Sequence, residues 1–277
     1  MPEDTFIAVL PPHRLGEIQG WRVTPAYQGY RLGARLLRAE GTAPPRGGLM
    51  MLGDQGYDGL GTAAALSQDI LRECQSRGLA GAVLDFDCLL PPLEQLAARL
   101  DGEFSRRGWP LYVPERYASC APGARVLVSS ALSGGSLRQR LEEALERFGG
   151  GRLALALERV AEDFFLPSPT GSGQPLSQEE LSARMEQLRP SVFFSGDLCA
   201  RYFTYMSRES GAHFVLFDDG DTLRRKLEVA RSLGIHTFLL PWQEAAPHLE
   251  QLGVKRSVPA GRGPQNRGGT VRVSRPG

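Results

Sequence analysis

Short apolar runs that stop at Gly, Pro or an acid recur along this chain, and stretches with apolar residues at helical spacing separate them. Phe6–Leu10 ends at Pro11-Pro12, Gly47–Leu52 ends at Gly53-Asp54, and the run from Gly78 ends at the acids Asp85 and Asp87. Runs this continuous read as strands buried on both faces, as in a parallel sheet. From Thr62 to Arg77, residues Ala65, Leu66, Ile70, Leu71 and Cys74 share one helical face, and Gly78 stands where a C-terminal cap would. Pro91-Pro92 opens a second helix reaching Arg107, with Leu93, Leu96, Ala97, Leu100 and Phe104 on one side. Leu111–Val113 and Arg125–Ser130 predict two more strands, Ser136–Phe148 an amphipathic helix with Ser136 as N-cap, and Leu153–Leu157 a strand ending at Glu158. Near the start, Trp21–Tyr30 has room for a strand and Arg31–Arg38 predicts a short basic helix.

The pattern changes at Phe164. A Pro/Gly/Ser loop from Pro167 to Pro175 leads to a helix over Ser177–Leu188, with Ser177 and Glu180 in capping-box spacing. Tyr202–Tyr205 and His213–Phe217 then flank a polar turn and predict an antiparallel hairpin. Thr222–Leu233 predicts a helix, and Thr237–Leu240 a last strand ending at Pro241-Trp242. About eight alternating strands predict an α/β fold, a (β/α)8 TIM barrel over residues 1–252. A small α+β hairpin insertion, about 164–219, precedes its last helix and strand. An open doubly wound sheet is the runner-up, and no GxGxxG or Walker loop supports it.

Charge separates the end of the chain from the rest. The formal net charge is +1, but residues 253–277 hold six Lys and Arg and no acid, so residues 1–252 carry −5. That Gly/Arg/Pro-rich tail is expected to be disordered, with contact to an anionic polymer or a protein as its possible use; nucleic acid is not the expected partner. Cysteines 74, 88, 120 and 199 form no CxxC or Cys/His pattern, which points to reduced thiols and to no metal or cofactor. No secretory leader and no 18-residue apolar segment stands out, so the expected location is cytoplasmic or spore-associated, without a membrane partner.

Candidate chemistry gathers at the run from Gly78 to Cys88. Side chains alternate along a strand, so Val83, Asp85 and Asp87 share one face and Leu84 and Phe86 the other. Two acids side by side at a strand end are how many barrel enzymes place acid/base groups. Asp54, Gln55, Glu115 and Glu158 occupy other strand ends and complete an acidic rim suited to neutral sugars.

Two segments then resemble glycoside hydrolase family 18, the chitinase-like barrels, and in particular its bacterial spore and cell-wall glycan hydrolases. One is the stretch holding Tyr202, Phe203, Tyr205, His213, Val215, Phe217, Asp218, Asp219, Thr222, Leu223, Lys226 and Trp242. The other is Leu79–Asp87, which is similar to the family's fourth strand. The resemblance implies a substrate-assisted route in which a carboxylate orients the acetamido group and a glutamate two residues later is the general acid. Those places fall on Asp85 and Asp87, while Trp242 would be a stacking platform for the sugar. The family's motif is degenerate here. Aspartate at 87 is shorter than glutamate by one methylene, roughly 1.5 Å, and the sixth strand reads Val128-Ser129-Ser130-Ala131 where the family has Met-x-Tyr-Asp.

The expectation is therefore a barrel that binds an N-acetylhexosamine glycan such as peptidoglycan, spore cortex or a chitin-like polymer. Hydrolysis is expected to be weak or absent, as in a pseudoenzyme. Asp85 and Asp87 are the catalytic candidates, and Trp242, Glu158, Asp54 and Gln55 the substrate-binding ones. Two alternatives stay open: a non-enzymatic assembly protein of a spore or envelope that uses the barrel as scaffold, and a metal-dependent barrel hydrolase.

Overall fold

The computed structural model describes residues 2–38, 46–167 and 171–257. Eight parallel strands close on themselves, in the order β1 (Thr5–Leu10), β2 (Thr24–Leu32), β4 (Leu49–Gly53), β5 (Ala82–Asp85), β6 (Leu111–Pro114), β7 (Arg125–Ser129), β8 (Leu153–Ala156) and β14 (Thr237–Pro241). β14 pairs with both β8 and β1, which completes a (β/α)8 barrel. Alternation along each strand divides its side chains between two cores. Ile7, Val9, Ala26, Leu49, Met51, Val83, Tyr112, Ala154, Ala156 and Leu239 fill the lumen. Residues of opposite parity, among them Leu84 and Phe86, pack outward against the helices.

The helices start and stop where local chemistry allows. α1 (Ala63–Arg77) is capped by Thr62, whose hydroxyl accepts from the Ala65 amide, and ends at Gly78 with φ of 64°, a left-handed conformation that glycine adopts without strain. α2 (Pro91–Ser105) follows β5, and α3 (Leu137–Phe148) follows β7 with Ser136 as its cap. α5 (Gly220–Ser232) precedes β14, and the short α6 (Trp242–Ala245) follows it.

The expected helix at Arg31–Arg38 is not formed. Arg31 and Leu32 finish β2, and β3 (Leu36–Arg38) folds back on it as an antiparallel hairpin, Leu32 opposite Leu36. Burial decides this. Tyr30 and Leu32 are buried two residues apart, a strand's period, whereas Arg31 between them is exposed.

Between β8 and α5 lies a separate antiparallel sheet. Its order is β10 (Gln174–Pro175), β9 (Ala161–Leu166), β13 (Gly211–Phe217), β12 (Ala200–Ser207), β11 (Phe193–Ser195). The predicted hairpin is β12–β13, and β9, β10 and β11 widen it to five strands. α4 (Gln178–Leu188), held at its start by the reciprocal Ser177–Glu180 capping box, lies over a core of Leu176, Leu181, Phe203, Val215 and Phe217.

The insertion is tied to the barrel by Asp218. This buried carboxylate accepts from Lys226 Nζ at 2.5 Å, Thr222 Oγ1 at 2.7 Å and the Val160 amide at 2.8 Å. Of the segment expected to be a disordered tail, residues 253–257 are described: Val254 is buried, and the Arg256 guanidinium stacks on Trp21 at 3.8 Å. The rest of that tail, 258–277, lies outside the described residues. No described helix is long and apolar enough to cross a membrane.

Candidate functional site

The carboxyl ends of the barrel strands surround a cleft of about 390 Å³. Its floor is the top of the lumen core, including Val9, Met51, Val83 and Leu239. Asp85 and Asp87 continue the inward parity of Val83 and line the cleft together with Glu158, from the chain just past β8. Phe86 between the two acids points the other way, 2% exposed, with its ring edge-on to Tyr117 at 5.5 Å. That anchoring fixes the direction in which Asp85 and Asp87 project.

The backbone carrying Asp87 is clamped by three side chains, two from the turn after β6 and one from the end of β4. The Arg116 guanidinium donates to the Asp87 carbonyl, and the Tyr117 hydroxyl donates to the Cys88 carbonyl. Asp54, at the end of β4, accepts from the Cys88 amide at 2.9 Å. Asp54 is therefore a buried support for the β5 loop and not part of the cleft lining. Gln55 is exposed and also outside that lining.

Trp242 takes a different place from the one expected of a platform. Inward parity on β14 falls on Leu239 and Pro241, so Trp242 turns outward. It is 2% exposed within the outer core, and its indole Nε1 donates to Glu17 at 2.9 Å. Its faces are occupied by protein.

The inward residue at the end of β7 is Ser129, because Leu127 two residues before it packs against the lumen core. Ser130 is fully buried on the other side and donates to the Glu158 carbonyl at 3.1 Å. Of the two serines in the segment that resembles the family's sixth strand, Ser129 and not Ser130 therefore faces the cleft. Ser129 Oγ in turn donates to Glu158 Oε2 at 2.5 Å.

Sequence reasoning also passed over Gln28 and Arg116, both in the lining. Gln28 lies within a bulge in β2, where three residues of β2 span two of β4, so that Tyr27 and Tyr30 both pack outward. Glu115 reaches the cleft as well but is paired with Arg140 of α3.

Electrostatics follow from this crowding. Asp85 is exposed to the cleft, whose walls stand close around its carboxylate. Desolvation is the largest cause that raises its pKa, followed by the charges of Asp87, Glu158 and Asp54. Among the described residues no group of three or more His, Cys, Asp or Glu side chains is placed to hold a metal ion.

The barrel, its antiparallel insertion and the acid-lined mouth can be set beside solved structures. The chitinase of Chromobacterium violaceum superposes with a TM-score of 0.68 at 12% identity, over 90% of this chain and 98% of that one. The fold is that of the family 18 chitinases. The spore cortex-lytic enzyme SleL of Bacillus megaterium gives a TM-score of 0.65 at 13% identity, over 91% of this chain and 73% of its own. The GH18 chitinase of Cycas revoluta, solved in complex with (GlcNAc)3, gives 0.58 at 11% identity, over 89% of this chain and 97% of that one. No family model and no curated protein sequence matches the chain.

Proposed function

We propose that the cleft binds a GlcNAc-containing glycan of the peptidoglycan, spore-cortex or chitin type, and that it hydrolyses the glycan weakly or not at all. The observation that carries this reading is the pair Asp85 and Asp87, projecting into the mouth of a family 18 barrel from its fourth strand. In this role Asp85, with its raised pKa, meets the acetamido group, and Glu158 and Gln28 supply further polar contacts across the cleft.

Chemistry is limited at two points. The Asp87 carboxyl stops short of a glutamate's reach, and misplacement of about 1 Å is enough to cost ~10²-fold. Ser129 puts a small hydroxyl where the family's tyrosine would support the intermediate. The location consistent with this ligand is a spore or its cortex, and the basic segment from 253 onward suits contact with an anionic polymer or protein there.

Binding and turnover are measured separately on the full chain, by calorimetry and by reducing-end release, with chitin oligomers and muramyl glycan. Binding with turnover at least about 100-fold below an active chitinase is the expected result. An absence of binding to every GlcNAc-containing polymer overturns the reading.

A further inference from the structure

Away from the cleft, the insertion sheet carries a hydrogen-bonded chain of serine, histidine and aspartate. Ser210 Oγ lies 2.7 Å from His213 Nε2, and His213 Nδ1 lies 3.0 Å from Asp163 Oδ1. The three come from separate parts of the sheet: Ser210 from the β12–β13 turn, His213 from β13, and Asp163 from β9. None of them lines the barrel cleft.

The tautomer follows from the partners. Asp163 gives Oδ2 to Arg184 and to the Tyr205 hydroxyl, and keeps Oδ1 for the imidazole. A carboxylate only accepts, so His213 Nδ1 carries the proton, and in the neutral imidazole Nε2 is left as an acceptor. The Ser210 hydroxyl must then donate to Nε2, which is the arrangement of a serine nucleophile with its base and orienting acid.

Rigidity and access fit the same role. The imidazole is stacked on Tyr205 at a centroid distance of 4.5 Å, and the edge of Phe165 meets it at 5.7 Å. Asp163 is 8% exposed, His213 and Ser210 are half-buried at the turn, and Phe165 beside them is 52% exposed. The Glu209 and Ser210 amides both donate to Ser207 Oγ at 3.3 Å, so two N–H groups already converge on one oxygen next to the serine.

We propose that Ser210, His213 and Asp163 form a serine acyl-transfer centre for short-chain carboxylic esters. Ser210 Oγ attacks the ester carbonyl while its proton passes to His213 Nε2. The bond to the alcohol oxygen breaks, and that oxygen leaves with the proton from Nε2. Water then attacks the acyl-serine, giving its proton to Nε2, and the carboxylic acid departs as the proton returns to Ser210. The Glu209 and Ser210 amides, exchanging Ser207 Oγ for the substrate, hold the oxyanion. The exposed ring of Phe165 is the surface for the acyl group.

The test uses the folded full chain, a fluorophosphonate probe and p-nitrophenyl acetate. The probe is expected on Ser210 by peptide mapping, and Ser210→Ala, with an unchanged melting curve, is expected to lose ester hydrolysis by about 100-fold or more. Ser210→Cys, which keeps a nucleophile, is expected to retain acylation. Ser210→Ala at the wild-type rate, or a folded wild type that takes no label at Ser210, overturns the proposal and leaves the serine as a turn hydroxyl that holds the imidazole.

Discussion

Ser129 and Glu158 are joined by a 2.5 Å hydrogen bond along the rim of the barrel, linking the end of β7 to the chain just after its neighbour β8. The bond holds the Glu158 carboxylate in the cleft, where its charge is one of the causes raising the pKa of Asp85. Glu158→Gln removes that charge and is expected to lower the pKa of Asp85, read by NMR titration of its side-chain carboxyl carbon. A titration curve unchanged by the substitution counts against the coupling.

Asp85 itself predicts a pH dependence of stability. Its folded pKa is raised, so between the unfolded value of ~3.9 and the folded value the native state binds more protons than the unfolded one. Stability then falls as pH rises through that window, and the penalty is complete above the folded value. Asp85→Asn is therefore expected to melt higher than wild type at pH 7, with the gain vanishing below about pH 4. A gain of the same size at both pH values would assign it to packing instead.

The Lys226–Asp218 pair is completely buried on both sides. Lys226→Met leaves the Asp218 charge without its cation, at an expected cost of about 3–5 kcal/mol in denaturant unfolding. Adding Asp218→Asn, which removes the stranded charge and keeps one acceptor oxygen, for either the Val160 amide or the Thr222 hydroxyl, is expected to recover part of that loss. Additive losses in the double variant would mean the two residues act independently.

Trp242 separates packing from recognition. Trp242→Ala is expected to cost about 3–5 kcal/mol, as for a large aromatic removed from a core. Trp242→Phe keeps most of the packing and frees Glu17, which reaches solvent, so it is expected to melt close to wild type and to bind glycan with unchanged affinity. A selective loss of glycan binding in Trp242→Phe would return the residue to the site.

Much of the barrel is written in runs that parallel strands must have. β1, β4, β8 and β14 are buried on both faces, so their sequences are continuously apolar, and caps at Thr62, Gly78, Ser136 and Ser177 mark helix ends by chemistry that acts within a few residues. β2 is less legible because Pro25, Gln28, Gly29 and Arg31 interrupt it and a bulge breaks its alternation. The site divides in the same way. Asp85 and Asp87 follow from parity within one strand, whereas the lining by Gln28 and Arg116 and the burial of Trp242 depend on how strand ends converge. That convergence is long-range, and local pattern carries no trace of it.

Parity also decides where chemistry is to be restored. Inward positions at the ends of β5 and β7 are Asp87 and Ser129, whereas Ser130 is fully buried on the outer side. The double variant Asp87→Glu with Ser129→Tyr extends the acid by one methylene and places a phenol in the cleft, at the cost of the Ser129–Glu158 bond. It is expected to raise reducing-end release from chitin oligomers by about 100-fold over wild type. Asp87→Glu with Ser130→Tyr forces a phenol into packed core, and overpacking of that kind costs about 1–3 kcal/mol or more, so lower stability and no gain in turnover are expected. If the Ser129 variant binds glycan as wild type does yet remains inert, the missing component lies beyond these two strand ends. If the Ser130 variant is the active one, the register at the end of β7 is displaced by one residue from the one described.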